Sequence, residues 1–475
     1  MSDVLDFGSG GIVLTAAIRT QSFIVMLGLS AIFICLTSGA ALAQVQAHVK
    51  ISVSNPNEIL VKAISSTPLR SWSFRNAAAG VLGIAERIEQ FRGDGIREVA
   101  TGEFRSETGA KEIEYVVRLA RPSAASVAHV TWLSNDYGFL MFADLLPQEF
   151  ATVSAEFALP SGWTVHSSIN PETVVEPVDA VFFVGRSVRK TSRKQLDCFV
   201  SGNWSFKDSV AVNAAARVLE KYLALTGYSL PAKPVVMIAP LPVSTGVTKW
   251  RAETRGSTVL LLLDPQAQIS NWKGQFEIIF THEALHLWVP NALRLSGDYD
   301  WFFEGFTLYT ALLTALELKA INFKEYLDTL ARVYDAYLSY ADDISLIDAS
   351  ERRWTSGTNL VYDKGMLVAF LFDLSIRKES GGKTRLLDRY RQLFGRVPAE
   401  RADGNDVIIK LLSSTPATAE LARSYILGRQ QLELEKVLAS YGFLLDTSGQ
   451  SSRLSISKQV DEGQKRLLRS LGYRD

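Results

Sequence analysis

The spacing of apolar positions along the chain changes character near residue 200. Before that point short stretches alternate apolar and polar, as in His48-Val49-Lys50-Ile51-Ser52-Val53, Ile113-Glu114-Tyr115-Val116-Val117 and Val153-Ser154-Ala155-Glu156-Phe157. A period of two puts every second side chain on one face, which predicts half-buried antiparallel strands. Turn residues separate them, among them Pro160-Ser161-Gly162-Trp163 and Asn170-Pro171-Glu172. Beyond Trp204 the period lengthens. Val212, Ala216, Leu219 and Leu223 fall on one helical face within 208–225, and 234–238 and 257–263 read as buried strands. Helices are predicted over 276–289, 302–320, 323–340 and 359–378, with shorter ones to about Leu444. After Asp446 the chain turns polar and predicts a loose tail or a peripheral helix. No repeat of solenoid period occurs.

These patterns predict an α+β chain. A β-rich N-terminal domain is expected over 44–200, a mixed α/β unit over 201–328, a helical domain over 329–445 and a tail over 446–475. Residues 1–43 have a different character. The apolar run 23–36 is preceded by Arg19 and followed by Ala41 and Ala43, small residues that suit signal-peptidase cleavage before Gln44. The run is short of the roughly 20 residues a spanning helix needs, so the expectation is an exported protein, periplasmic or secreted. Asp3 and Asp6 sit poorly in a signal peptide, which leaves a start downstream of Met1 or an uncleaved membrane anchor as alternatives.

Composition narrows the function. With 47% hydrophobic and 21% charged residues, packed cores are expected and wholesale disorder is excluded. Lys+Arg and Asp+Glu balance at 50 each, which speaks against a partner bound through its phosphates, so no nucleic acid is expected. Two cysteines exclude a disulfide scaffold. Cleavage at Gln44 would remove Cys35 and leave Cys198 alone.

Two of the five histidines fall in Thr281-His282-Glu283-Ala284-Leu285-His286, an H-E-x-x-H motif on a predicted helix. Residues four apart on a helix lie on one face, so His282 and His286 can converge on one Zn²⁺, while Glu283 is placed to take a proton from water in the same cleft. Trp288-Val289-Pro290 ends the helix, since the residue before proline avoids helical geometry. A catalytic zinc needs a third protein ligand and one open position. No histidine follows at a suitable spacing, so a carboxylate is expected. Glu304, in Asp300-Trp301-Phe302-Phe303-Glu304-Gly305, is the favoured candidate, because a carboxylate amid large apolar neighbours is costly to bury unless paired or metal-bound. Asp298 and Asp300 are the alternatives, with Asp300 also read as a helix N-cap.

With those residues in view, the chain resembles the glycyl aminopeptidase family of gluzincin zinc metallopeptidases. That family is thermolysin-like and related to the aminopeptidase N and leukotriene A4 hydrolase family. The resemblance rests on H-E-x-x-H, on Trp301-Phe302-Phe303-Glu304-Gly305-Phe306-Thr307-Leu308-Tyr309 and on Val361-Tyr362-Asp363-Lys364-Gly365 with Leu374-Ser375-Ile376-Arg377 after it. It covers about 150–445. It implies a thermolysin-like domain over 201–328 and a helical domain closing the cleft. One zinc per chain would be held by His282, His286 and Glu304, with Glu283 as general base and Tyr362 as the hydroxyl that stabilises the oxyanion. Ser257-Thr258-Val259-Leu260-Leu261 looks like the cleft-lining edge strand. Glu253, in Lys249-Trp250-Arg251-Ala252-Glu253-Thr254-Arg255-Gly256, is the counterpart of the glutamate that holds a substrate's free amino group, although the paired glycines of relatives are absent here. The segment after Asp446 is too short for the PDZ domain that many relatives carry.

The resulting expectation is an exported zinc peptidase acting on peptides, removing N-terminal residues. The alternatives are a thermolysin-type endopeptidase and a non-catalytic protein that retains zinc and holds peptides. A membrane association is expected only if the N-terminal segment stays as an anchor, and the sequence does not disclose the oligomeric state.

Overall fold

The computed structural model describes residues 45–474 apart from 125, 244–249, 267–268, 341–343, 355–357 and 396–400. The apolar run 23–36 and the expected cleavage site lie outside the described residues. Among the described residues no helix is long and apolar enough to cross a membrane.

The N-terminal alternation folds as the period of two requires. In the strand Val45–Asn55 the residues Val45, Ala47, Val49, Ile51 and Val53 are buried, and those between them face outward. This strand pairs antiparallel with Glu58–Ser73 and parallel with Phe150–Ala158. Glu103–Arg118, Ile88–Arg92 and Ile96–Ala100 complete a six-stranded sheet. A second sheet, ordered Thr164–His166, Val181–Gly185, Tyr137–Met141, Trp132–Leu133, lies behind it.

That second sheet is apolar on both faces, and each face serves a different core. Leu140, Phe182 and Val184 pack with the first sheet. Phe139, Met141, Val181 and Phe183 pack instead with Phe199, Val235, Met237, Leu260 and Leu262 of a third sheet. The third sheet runs Arg189–Ser192, Asp197–Val200, Val235–Pro240, Thr258–Leu263, Trp250–Arg255, and its two middle pairings are parallel. The helix Asp208–Thr226 makes the first crossover and stops at Gly227, whose φ of 68° is left-handed. The other face of this sheet, with Val236, Ile238, Val259 and Leu261, packs against the helices in the largest core.

Burial on both faces explains the unbroken apolar run at 258–263, and it corrects the expectation that this run is the cleft edge. Every residue of Thr258–Leu263 is buried between two neighbouring strands. A central strand covered on both sides reads as a continuous hydrophobic run. The edge strand is Trp250–Arg255, antiparallel to it and half-buried throughout.

The helical part comprises Ile269–His286, Thr307–Glu317, Phe323–Leu338, Thr358–Ser380 and several shorter helices. Asn322 and Glu325 form a reciprocal cap at the start of Phe323–Leu338. The polar C-terminal stretch holds a hairpin, Phe443–Asp446 with Arg453–Ile456, and the helix Glu462–Ser470. That last helix is tied to the core through Arg377, which donates to the Ser470 carbonyl at 2.6 Å.

Candidate metal centre and active site

The helix Ile269–His286 brings His282 and His286 to one side, and contacts beyond its C-terminal end orient them. His286 Nδ1 lies 3.0 Å from the carbonyl of Val289. A carbonyl only accepts, so Nδ1 carries the hydrogen and Nε2 presents its lone pair to the cleft. His282 Nδ1 has the Thr307 hydroxyl 3.4 Å away. The two Nε2 atoms stand 3.2 Å apart.

Glu304 arrives from the next element. Trp301–Phe306 is a turn of π-helix rather than the start of an α-helix, a local widening often found where a side chain must be aimed. Thr307 Oγ1 donates back to the Phe303 and Glu304 carbonyls at 2.6 and 2.7 Å. The Glu304 Oε2 atom lies 3.4 Å from Nε2 of both histidines. Donors 2.0–2.1 Å from a common tetrahedral centre are separated by roughly 3.3 Å. The three edges measured here, 3.2, 3.4 and 3.4 Å, match that figure. Two imidazole lone pairs and a carboxylate facing one point repel unless a cation sits among them, so the residues fit a metal ion. Asp298 and Asp300 are not in this group. Asp300 makes no helix-capping bond; its carboxylate binds Arg353, which corrects the N-cap expectation.

Two glycines let the third-ligand turn meet the helix Thr358–Ser380. A Cβ on Gly305 would lie 2.5 Å from the Gly365 Cα, and one on Gly365 would lie 2.9 Å from the Gly305 Cα. Neither position has room for a side chain. This close crossing sets Tyr362, one turn before Gly365, near Glu304, to which Arg353 links it. Lys364 of the same motif is fully buried and donates to the Ile344 carbonyl at 2.8 Å.

Arg353 joins the two elements. It donates to Glu304 Oε1 at 2.5 Å and to the Tyr362 hydroxyl oxygen at 2.9 Å, besides binding Asp300. Its guanidinium lies over the ring of Trp354, 4.4 Å from the centroid, and that ring is half exposed. Because Arg353 occupies a lone pair of the Tyr362 oxygen, the phenol hydrogen is left to point elsewhere. Burial pushes the Tyr362 hydroxyl pKa up, as does the nearby Glu304 charge, and Arg353 only partly opposes them. The group therefore stays protonated and can donate. Burial alone would raise the Glu304 carboxyl, but Arg353 and the histidines hold it well below the usual range.

Glu283 is buried at the rim. The hydroxyl of Thr254, from the edge strand, is 2.8 Å from its Oε2 and 2.9 Å from its carbonyl oxygen. Burial raises the Glu283 pKa against the pull of both histidines and Thr254, which suits a group that must accept and release a proton. Glu253, next to Thr254, points to the other face of the strand. Its Oε2 is 2.7 Å from His129 Nδ1, and its Oε1 accepts from Arg255 Nε at 3.1 Å.

The structure thus brings His282, His286 and Glu304 to one point, links Tyr362 to Glu304 through Arg353, holds Glu283 with Thr254 and pairs Glu253 with His129 and Arg255. Arg353, Thr254, His129 and the Val289 carbonyl are not evident from the sequence. Arg353 lies 49 residues from Glu304, and no local spacing announces such a pairing. Thr254 has a usable signal, since alternation along a strand turns it opposite to Glu253.

No family model matches this chain, and no curated protein matches it. Solved structures do. An aminopeptidase N family protein from Idiomarina loihiensis superposes with a TM-score of 0.71 at 15% identity, over 88% of this chain and 82% of that one. An M1 zinc metallopeptidase from Deinococcus radiodurans gives 0.53 at 14% identity, over 82% and 94% of the two chains. A mutant of the latter, bound to a Tyr-Ser-Ala substrate, gives 0.55 at 16%, over 82% and 96%. The fold of this chain is that of the aminopeptidase N-like M1 zinc metallopeptidases.

Proposed function

We propose that this protein is a zinc-dependent peptidase. The observation that carries the reading is the triangle of His282 Nε2, His286 Nε2 and Glu304 Oε2, with edges of 3.2 to 3.4 Å. His282, His286 and Glu304 would hold a zinc ion, which would supply Lewis-acid polarisation of a carbonyl and a water whose pKa is lowered to about 7. Glu283 takes the water's proton and delivers it to the departing amine. Tyr362, kept protonated and oriented by Arg353, donates to the oxygen that gains charge. The substrate class rests on the fold and on the tripeptide seen in the Deinococcus neighbour.

Removal of N-terminal residues is the finer reading that the sequence resemblance supports. It asks Glu253 to receive a free ammonium group. Cleavage without that requirement is the alternative, and a protein that only holds peptides is another. The division into units at 44–200, 201–328 and 329–445 and export through the run 23–36 belong to the same proposal.

The test is Glu283→Gln. Zinc is expected to remain at one per chain while hydrolysis of a peptide panel falls at least about a thousandfold, the scale of losing a general base and its electrostatics. Undiminished hydrolysis would remove Glu283 from the mechanism. Zinc without hydrolysis in the wild-type protein would support the peptide-holding alternative.

A further inference from the structure

A glutamate turns about several side-chain torsions, and a base that must meet a water at a fixed place gains from having them held. For Glu283 the hold comes from the edge strand Trp250–Arg255. Thr254 Oγ1 is 2.8 Å from Glu283 Oε2 and 2.9 Å from the Glu283 carbonyl oxygen. The single hydroxyl hydrogen serves both acceptors, a shared arrangement common at helix ends. The carbonyl is free to take part. A continuing helix would give it the Leu287 N–H, but that group turns to the Ala284 carbonyl at 3.3 Å.

Among the described residues no hydrogen bond reaches Glu283 Oε1, so Thr254 engages one carboxylate oxygen and leaves the other for a proton. Charge alone would not keep Glu283 on the strand. Glu253, the next residue along it, is near enough to repel the Glu283 carboxylate, and the Thr254 hydroxyl is the donor that opposes this. A second contact keeps the strand within reach. Asn291, beyond the end of the histidine-bearing helix, donates from Nδ2 to the Gly256 carbonyl at 3.0 Å. The strand is thus pinned to one side of His286 at Glu283 and to the other side at Asn291.

We infer that Thr254 is a positioning residue for peptide hydrolysis, its hydroxyl tying Glu283 to the edge strand so that one carboxylate oxygen is held and the other stays available to a water. This rests on the zinc-peptidase reading and adds the residue that orients its general base. A role in strand packing would explain the same contact differently, and the two accounts order the substitutions oppositely. Valine keeps the branched shape that suits a strand and loses the hydroxyl, whereas serine keeps the hydroxyl and loses the branch.

The experiment measures kcat, KM and bound zinc for Thr254→Val and Thr254→Ser on a peptide that the wild-type protein cuts. Thr254→Val is expected to keep its zinc and a nearly unchanged KM while kcat falls about 10–100-fold, the cost of a misplaced reacting group. Thr254→Ser is expected to recover most of that loss. In a Glu283→Gln background, Thr254→Val is expected to lower kcat by less than about twofold, because residues that act as a unit are not additive. Unchanged kcat in Thr254→Val, a serine variant slower than the valine one, or an equal loss in both backgrounds overturns the inference and leaves the peptidase reading standing. A wild-type protein that binds zinc and cuts no peptide removes that reading and the inference with it. Should Thr254→Val not fold, Thr254→Ala takes its place in the same comparisons.

Discussion

Two glutamates flank the cleft, and each is held between imidazole and guanidinium, yet they are built for different ends. Glu304 accepts from Arg353 on one oxygen and turns the other towards two histidines, at 3.4 Å from each. Glu253 accepts from Arg255 on one oxygen and meets His129 at 2.7 Å on the other. The first spacing leaves room for an ion, and the second closes into a direct hydrogen bond. Both carboxyls sit below the ordinary range despite burial, Glu253 down to about 2, because cations face them. The same residue types therefore make an open ligand set or a sealed pair, and the deciding quantity is about 0.7 Å of separation. Asp363 shows a case in which the described residues supply no cation. Its carboxyl accepts from the Tyr340 hydroxyl at 3.0 Å, and burial pushes it up to about 6.

The largest effect should come from opening the first cluster. Glu304→Ala is expected to abolish stoichiometric zinc and to lower thermal stability by about 3 kcal/mol, since Arg353 stays buried with one of its carboxylates gone. Metal analysis and a melting curve check both, and a variant that keeps its zinc contradicts the ligand assignment. A smaller effect is expected for Arg353→Met, which leaves all three ligands in place. Zinc affinity and kcat should each fall about 10–100-fold, the usual range for a residue that orients a ligand, with KM nearly unchanged. Arg353→Lys should recover part of the loss. Unaltered kcat and zinc affinity in Arg353→Met would show that the guanidinium only fills space.

The smallest effect concerns Asp363, for which no cation partner is found among the described residues. The pKa of Asp363 is raised in the folded state, so the native protein binds its proton more tightly than the unfolded chain does between about pH 4 and 6. Its ionisation then costs stability above pH 6, and the cost vanishes below about pH 4. Asp363→Asn, which keeps an acceptor for Tyr340, should stabilise the fold by about 1–2 kcal/mol at pH 7. The advantage should disappear in melts at pH 3.5. An equal advantage at both pH values would assign the effect to packing rather than to charge.

Much of the first cluster is legible in the sequence because its information is local. His282, Glu283 and His286 occupy one helical turn, and Glu304 stands in a motif with Gly305, whose lack of a side chain the crossing with Gly365 requires. The alternation of Val45–Asn55 likewise tells which side chains are buried. Other features depend on partners far along the chain. Arg353 binds Glu304 across 49 residues, and His129 reaches Glu253 across 124. The run at 258–263 reads as an edge only because an apolar period cannot tell how many neighbours a strand has. The π-turn at Trp301–Phe306 is hidden for a similar reason, since its residues remain apolar whichever helical winding they adopt.

The central claim is that His282, His286 and Glu304 together hold one divalent ion. X-ray absorption at the zinc edge on purified protein of known metal content tests it most directly. The account predicts one zinc per chain, ligated by two imidazole nitrogens at about 2.0–2.1 Å and by oxygen, and no zinc in His282→Ala/His286→Ala. A folded protein that takes up no zinc, or a double variant that retains it with the same ligation, would contradict the account.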